Sequence, residues 1–162
     1  MADHLDRVLD QWAVARPDLD VSPMGVFGRL SRLNALTSAE MRRTFARHNL
    51  DSSSFDVLAT LRRSGRLTPA GLMRASMITS GAVTQRLDRL EARGLVTRTP
   101  NETDGRGVYV DLTDAGRELI DRALPDHVAT EHRMLEGLTA AQREHLVEAL
   151  RVMLGTLEDD EG

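Results

Sequence analysis

Apolar residues recur every three to four positions along most of this chain and give way to strict alternation in one short region. Leu5, Val8, Leu9 and Trp12 form one stripe and predict an amphipathic helix over 3–15, which Arg16-Pro17-Asp18-Leu19-Asp20 breaks. Ser22-Pro23, a hydroxyl N-cap followed by proline at the first helical position, opens a long helix running to about Arg47. His48-Asn49-Leu50-Asp51 reads as a turn. Ser53, with Asp56 three residues on, predicts a capped helix over about 53–63, ended by Ser64-Gly65. Thr68-Pro69 repeats the cap-then-proline signal for a helix of about two turns. Met77-Ile78-Thr79 is a turn, Ser80 caps a longer helix reaching Arg93, and Gly94 is placed to stop it.

Residues Leu95 to Thr99 and Gly107 to Leu112 alternate as strands, and the polar segment from Pro100 to Arg106 joins them as a β-hairpin. Thr113 caps a further helix that Pro125 is placed to kink or interrupt. Thr139 with Gln142 forms a capping box for a last helix to about Leu157, and the tail from Glu158 to Gly162 is expected to fray. The fold class is therefore mainly α with a small β-hairpin. A short helix, a longer helix and two strands describe a winged helix-turn-helix, a device that places one helix in a DNA groove.

The predicted 80–93 helix has two faces. Val83, Leu87 and Leu90 make an apolar stripe that locks it to a scaffold. Gly81, Thr84, Gln85, Asp88 and Arg89 project from the other side, with Arg86 at the flank. Arginine offers a bidentate fork to guanine and glutamine one to adenine, while Ser80, Gly81 and the helix N-terminus suit a phosphate. In the wing, Arg98 and Arg106 flank the tip, where an arginine suits the negative potential of a narrow minor groove, and Asp104 is placed to orient Arg106. Taken alone, such a helix is also what a plain amphipathic surface helix looks like, and such a tip what an ordinary charged turn looks like. The two together favour DNA.

Charge sharpens this reading. Net charge is −4, and all 21 basic residues are arginine. Residues 62–106 carry nine arginines against four acids, a balance of +5, while the remainder carries 12 against 21, a balance of −9. That split is the footprint of a nucleic-acid surface on an acidic body. With no cysteine, disulfides, thiolate zinc sites and a cysteine nucleophile are excluded, and a reducing compartment fits. No apolar run approaches the ~20 residues of a membrane span, and the N-terminus lacks a basic segment before an apolar one, so a cytoplasmic protein is expected. His4, His48, His127, His132 and His145 show no ligand spacing, and no phosphate loop, dinucleotide fingerprint or nucleophile elbow is present. No enzyme, metal or cofactor is expected. A winged helix serving as a protein-interaction module is disfavoured by the arginine-rich 62–106 region.

The stretch from Leu67 to Thr113, above all Ser80-Gly81-Ala82-Val83-Thr84-Gln85-Arg86-Leu87-Asp88-Arg89-Leu90-Glu91-Ala92-Arg93-Gly94-Leu95-Val96 and the wing Asp104-x-Arg106 with Leu112-Thr113, resembles the MarR family of bacterial transcription regulators. The resemblance covers nearly the whole chain. It implies one domain over 1–162, a winged-helix DNA-binding region at 52–113, and dimerisation helices at 3–47 and 114–157. It further implies a homodimer on double-stranded palindromic operators, with DNA binding commonly weakened by a small ligand. By that resemblance Ser80, Thr84, Gln85, Arg86 and Arg89 face the major groove and Arg106 the minor.

Leu5, Leu9, Trp12, Leu135, Leu138, Leu146, Leu150, Met153, Leu154 and Leu157 are more apolar residues than a lone winged helix can bury, and a two-fold interface is their natural use. The family's urate-responsive branch carries an extra N-terminal helix with a tryptophan, an aspartate before the DNA-reading unit, and linking arginines. Trp12, Asp56, Arg86 and Arg89 resemble that set, with Trp12, Asp56 and Arg89 as a possible site for a small aromatic or urate-like anion. Ser64 departs from the polar amide expected in that branch. The alternatives stay open: Trp12 as interface core with Asp56 a solvated carboxylate, and a regulator that takes no ligand.

Overall fold

A computed structural model describes residues 2–76, 83–100 and 107–159. Its elements are α1 (His4–Ala15), α2 (Ser22–Ala46), α3 (Ser52–Ser64), α4 (Pro69–Ala75), α5 (Val83–Ala92), β1 (Val96–Pro100), β2 (Val108–Leu112), α6 (Asp114–Met134) and α7 (Ala140–Asp159). The mainly helical fold with one two-stranded antiparallel hairpin is the one the sequence predicts. The predicted tail lies largely outside the described residues.

One core joins α3, α4, α5, the hairpin and α6. Leu58 and Leu61 of α3, Leu72 of α4, Val83, Leu87 and Leu90 of α5, Val110 of β2 and Ile120 of α6 are buried in one cluster. Burying each such side chain stabilises the fold by roughly 1.5–3 kcal/mol. A buried hydroxyl pair, Thr44 Oγ1 to Thr130 Oγ1 at 2.9 Å, ties α2 to α6. The hairpin pairs Val96 with Leu112 and Arg98 with Val110, and an isolated bridge from Leu67 to Val110 anchors it to the linker before α4.

Local signals explain most helix ends. Thr68 accepts from the Gly71 N–H and Thr113 from the Gly116 N–H, each at 3.0 Å, as expected of hydroxyl caps. The Thr139–Gln142 capping box forms. Gly94, at φ 68°, closes α5: Leu95 N–H donates to Leu90 O, and Gly94 N–H to Glu91 O. This pairing needs a left-handed residue, which glycine adopts without strain.

Three expectations are corrected. Ser22 is the first residue of α2 rather than its cap, and its N–H is taken instead by Asp20 Oδ1 at 2.9 Å. The cap of α3 is Asp51, not Ser53, so the helix starts earlier and Asp56 is not part of a capping box. A carboxylate accepts more strongly than a hydroxyl, and Asp51 Oδ1 holds the Ser54 N–H at 2.7 Å. Pro125 does not interrupt α6, which runs unbroken because packing on α2 and α3 fixes its course while the exposed proline faces solvent. The first strand begins and ends one residue later than the alternation alone suggests, and the second begins one residue later and ends at Leu112 as expected.

Gly116, in the first turn of α6, lies so close to the wing that a Cβ would sit 2.0 Å from the Leu95 carbonyl oxygen. Backbone cannot yield as a side chain can, so Gly116→Ala is expected to lower stability by about 1–3 kcal/mol in urea unfolding. An unchanged midpoint would show that α6 does not dock there.

Candidate nucleic-acid interface

The helix-turn-helix is α4 and α5, which pack on each other, with the hairpin against α5 through β1. Burial of Val83, Leu87 and Leu90 turns the opposite face of α5 outward. Thr84, Gln85, Asp88, Arg89 and Arg93 are exposed there, as the spacing predicts. Among the described residues, no ion pair ties down Thr84, Gln85 or Arg89. Ser80 and Arg106, with Gly81 and Asp104, lie outside the described residues.

Two further arginines are held differently. Arg86 is only 16% exposed in its side chain and approaches Asp51 Oδ1 at 3.5 Å, joining α5 to the N-terminus of α3. Arg98 is 24% exposed and splits its guanidinium between Asp88 Oδ1 at 2.7 Å and Glu91 Oε2 at 2.6 Å. The Asp88 hydrogen bond raises its pKa further, against the opposing effect of burial, and Glu91 adds to the rise. Neither set of partners was anticipated from sequence. One signal was present: alternation along β1 puts Arg98 on the same side as buried Val96, and Asp88 and Glu91 lie three apart on one side of α5.

Asp51 serves both α3 and α5. Burial works to raise its carboxyl pKa, but the Ser54 backbone N–H and hydroxyl, and the charges of Arg86 and Arg89, outweigh it and hold it below the usual carboxylate range. The carboxylate also sits favourably at the positive end of the α3 dipole.

The profile of the MarR family matches residues 48–107, from the turn after α2 through β1 and up to the start of β2. The regulator PecS of Dickeya dadantii is 40% identical over 154 residues, covering 93% of this chain and 90% of PecS. The chain belongs to the MarR family. It is a DNA-binding transcriptional regulator, like its relatives, which are regulators rather than enzymes. Among solved structures, a cysteine-to-serine mutant of Escherichia coli MarR in complex with operator DNA aligns with TM-score 0.74 at 27% identity, covering 83% of this MarR-family chain and 95% of that one. BpsR of Bordetella bronchiseptica, whose DNA binding is regulated by 6-hydroxynicotinic acid, aligns with TM-score 0.72 at 29% identity, covering 80% and 98%.

The ligand candidates are scattered in this regulator. Trp12, 39% exposed, is on α1, which packs on α2. Asp56 is half-buried on α3, and Arg89 is exposed on α5. A cavity of about 650 Å³ opens elsewhere, between α2 and α6, walled by Met41, Phe45 and Leu135 with Ser52 and His127 at its polar edge. Phe45, Phe55 and His127 stack beside it, with ring centroids 4.3–5.6 Å apart. Trp12 and Asp56 do not line it. Among the described residues, no helix is long and apolar enough to cross a membrane, and no cluster of metal-ligating side chains is present.

Loss of the Asp51 cap in Asp51→Ala is expected to cost about 1 kcal/mol at neutral pH. Because the native carboxyl titrates below its unfolded value of ~3.9, the benefit is complete above that pH and fades as pH falls through the lowered native value. Urea midpoints of wild type and variant should therefore separate at pH 7 and converge in acid. Equal separation at both pH values would remove the ionised cap from the account.

Proposed function

We propose that the regulator acts as a homodimer that represses from a palindromic operator and is released by a small planar aromatic anion. One observation carries the dimer. The 20-residue α7 has no buried residue among those described, and Val147, Val152, Leu154 and Leu157 stand open to solvent. Val26, Phe27, Leu33 and Leu36 of α2 are likewise exposed. A second copy of the chain covers both faces at once, and two-fold symmetry is the usual form of such a contact. The helices of 3–47 and 114–157 then build the interface, while 52–113 reads DNA.

In that dimer two copies of α5 enter successive major grooves, ~34 Å apart, which requires a palindromic site. Thr84, Gln85 and Arg89 meet bases and phosphates beside Ser80, and Arg106 enters the minor groove. A dimer seated on a promoter excludes polymerase, which is repression. The relation to BpsR supports control by a small aromatic acid. Trp12 supplies a stacking surface, and Asp56 and Arg89 the polar link to α5. The cavity between α2 and α6 offers a second route, since its Ser52 adjoins Asp51, the partner of Arg86. A ligand that disturbs these pairs acts by binding one of two states more tightly.

Sedimentation should give a dimer, and Arg89→Ala and Arg106→Ala should each weaken operator binding by about 1–3 kcal/mol. Undiminished binding by the double variant would overturn the assigned reading surface. Urate or a phenolic acid should lower operator affinity and quench Trp12 fluorescence. Constancy of both signals across a panel of planar anions would mean that the regulator takes no such ligand.

A further inference from the structure

We propose that Arg98 is a positioning residue that fixes the wing to the reading helix, and that Asp88 and Glu91 are its partners in that task. The proposal rests on DNA reading by α5. Three observations carry it. Arg98 sits in the middle of β1, opposite Val110, on the inward side with Val96, so its guanidinium lies against α5 rather than beyond the hairpin. Its fork is divided between two carboxylates at 2.7 and 2.6 Å. Those carboxylates are one turn apart on α5 and directly beside the buried Leu87 and Leu90.

The position of the acids matters. Asp88 projects from the exposed face of α5, four residues from Thr84 and three from Gln85. Carboxylates beside a reading helix repel phosphate, and Arg98 neutralises them while using them as anchors. An arginine spent in this way has little left for a phosphate. It sets the angle between wing and helix, so that α5 and the wing tip reach their grooves together. A lysine would not serve equally, because a single ammonium lacks the rigid fork.

The test uses full-length protein, a duplex it selects from a random-sequence pool, and a mixed-sequence duplex of equal length. Arg98→Ala, the pair Asp88→Ala with Glu91→Ala, and the triple variant are compared after thermal unfolding confirms that each is folded. Positioning predicts that Arg98→Ala and the acid pair each lower the ratio of selected to mixed-sequence affinity about tenfold, and that the triple variant loses no more than either, the non-additivity expected of one network. It also predicts that the acid pair tightens mixed-sequence binding, because negative charge near DNA has been removed. A phosphate contact predicts otherwise. The acid pair would then keep or raise the wild-type ratio, and Arg98→Ala would weaken both duplexes alike and lower the salt slope by about 0.9 per protomer. Either result overturns the proposal. Failure of wild type to select any duplex would instead overturn DNA reading itself.

Discussion

Val83, Leu87 and Leu90 are the buried side chains of α5, and the neighbouring elements are arranged around them. These side chains set the rotation of α5 about its axis, and that rotation decides which residues face outward. A slip of one position would turn Asp88 or Arg89 into the core, where an unpaired charged group costs several kcal/mol. The surrounding elements hold this setting. Gly94 ends α5 in a left-handed turn, Thr113 Oγ1 donates to the Gly94 carbonyl oxygen at 2.6 Å, and α6 starts from that point. Helix, wing and the long α6 thus share one joint.

A second layer of organisation is electrostatic. The region around α5 is rich in arginine, yet its arginines are not equivalent. Arg86 and Arg98 are drawn inward onto Asp51, Asp88 and Glu91, while Arg89 and Arg93 remain outside. The acids beside α5 therefore sort the cations into those that hold the fold and those that stay exposed. Pairs with one half-buried member are less screened by salt than fully exposed pairs, so this sorting survives in the medium that weakens phosphate contacts.

Local signals in the sequence prevail where one cap decides one helix end. Thr68, Thr113 and the Thr139–Gln142 box are where their spacing puts them, because their partners lie within three residues. Ser22 and Ser53 failed for a related reason: Asp20 and Asp51, each two residues earlier, accept an amide at the helix start, and the helix begins before the serine can cap it. Pro125 failed because its helix is held by tertiary packing, which no local propensity reports. The apolar stripe and exposed face of α5 were legible from period alone. The inward arginines were not, since Arg86 meets a residue 35 positions away and Arg98 meets residues across the turn from α5 into β1. The same limit applies to Trp12 and Asp56, which sit on separate helices.

In the proposed two-fold dimer, two copies of α5 read one DNA site. Hydroxyl-radical footprinting on the duplex that the protein selects should then show protected patches related by a two-fold axis, with half-site centres about 10–10.5 base pairs apart. One unsymmetrical patch, at a site with no palindrome, would contradict it.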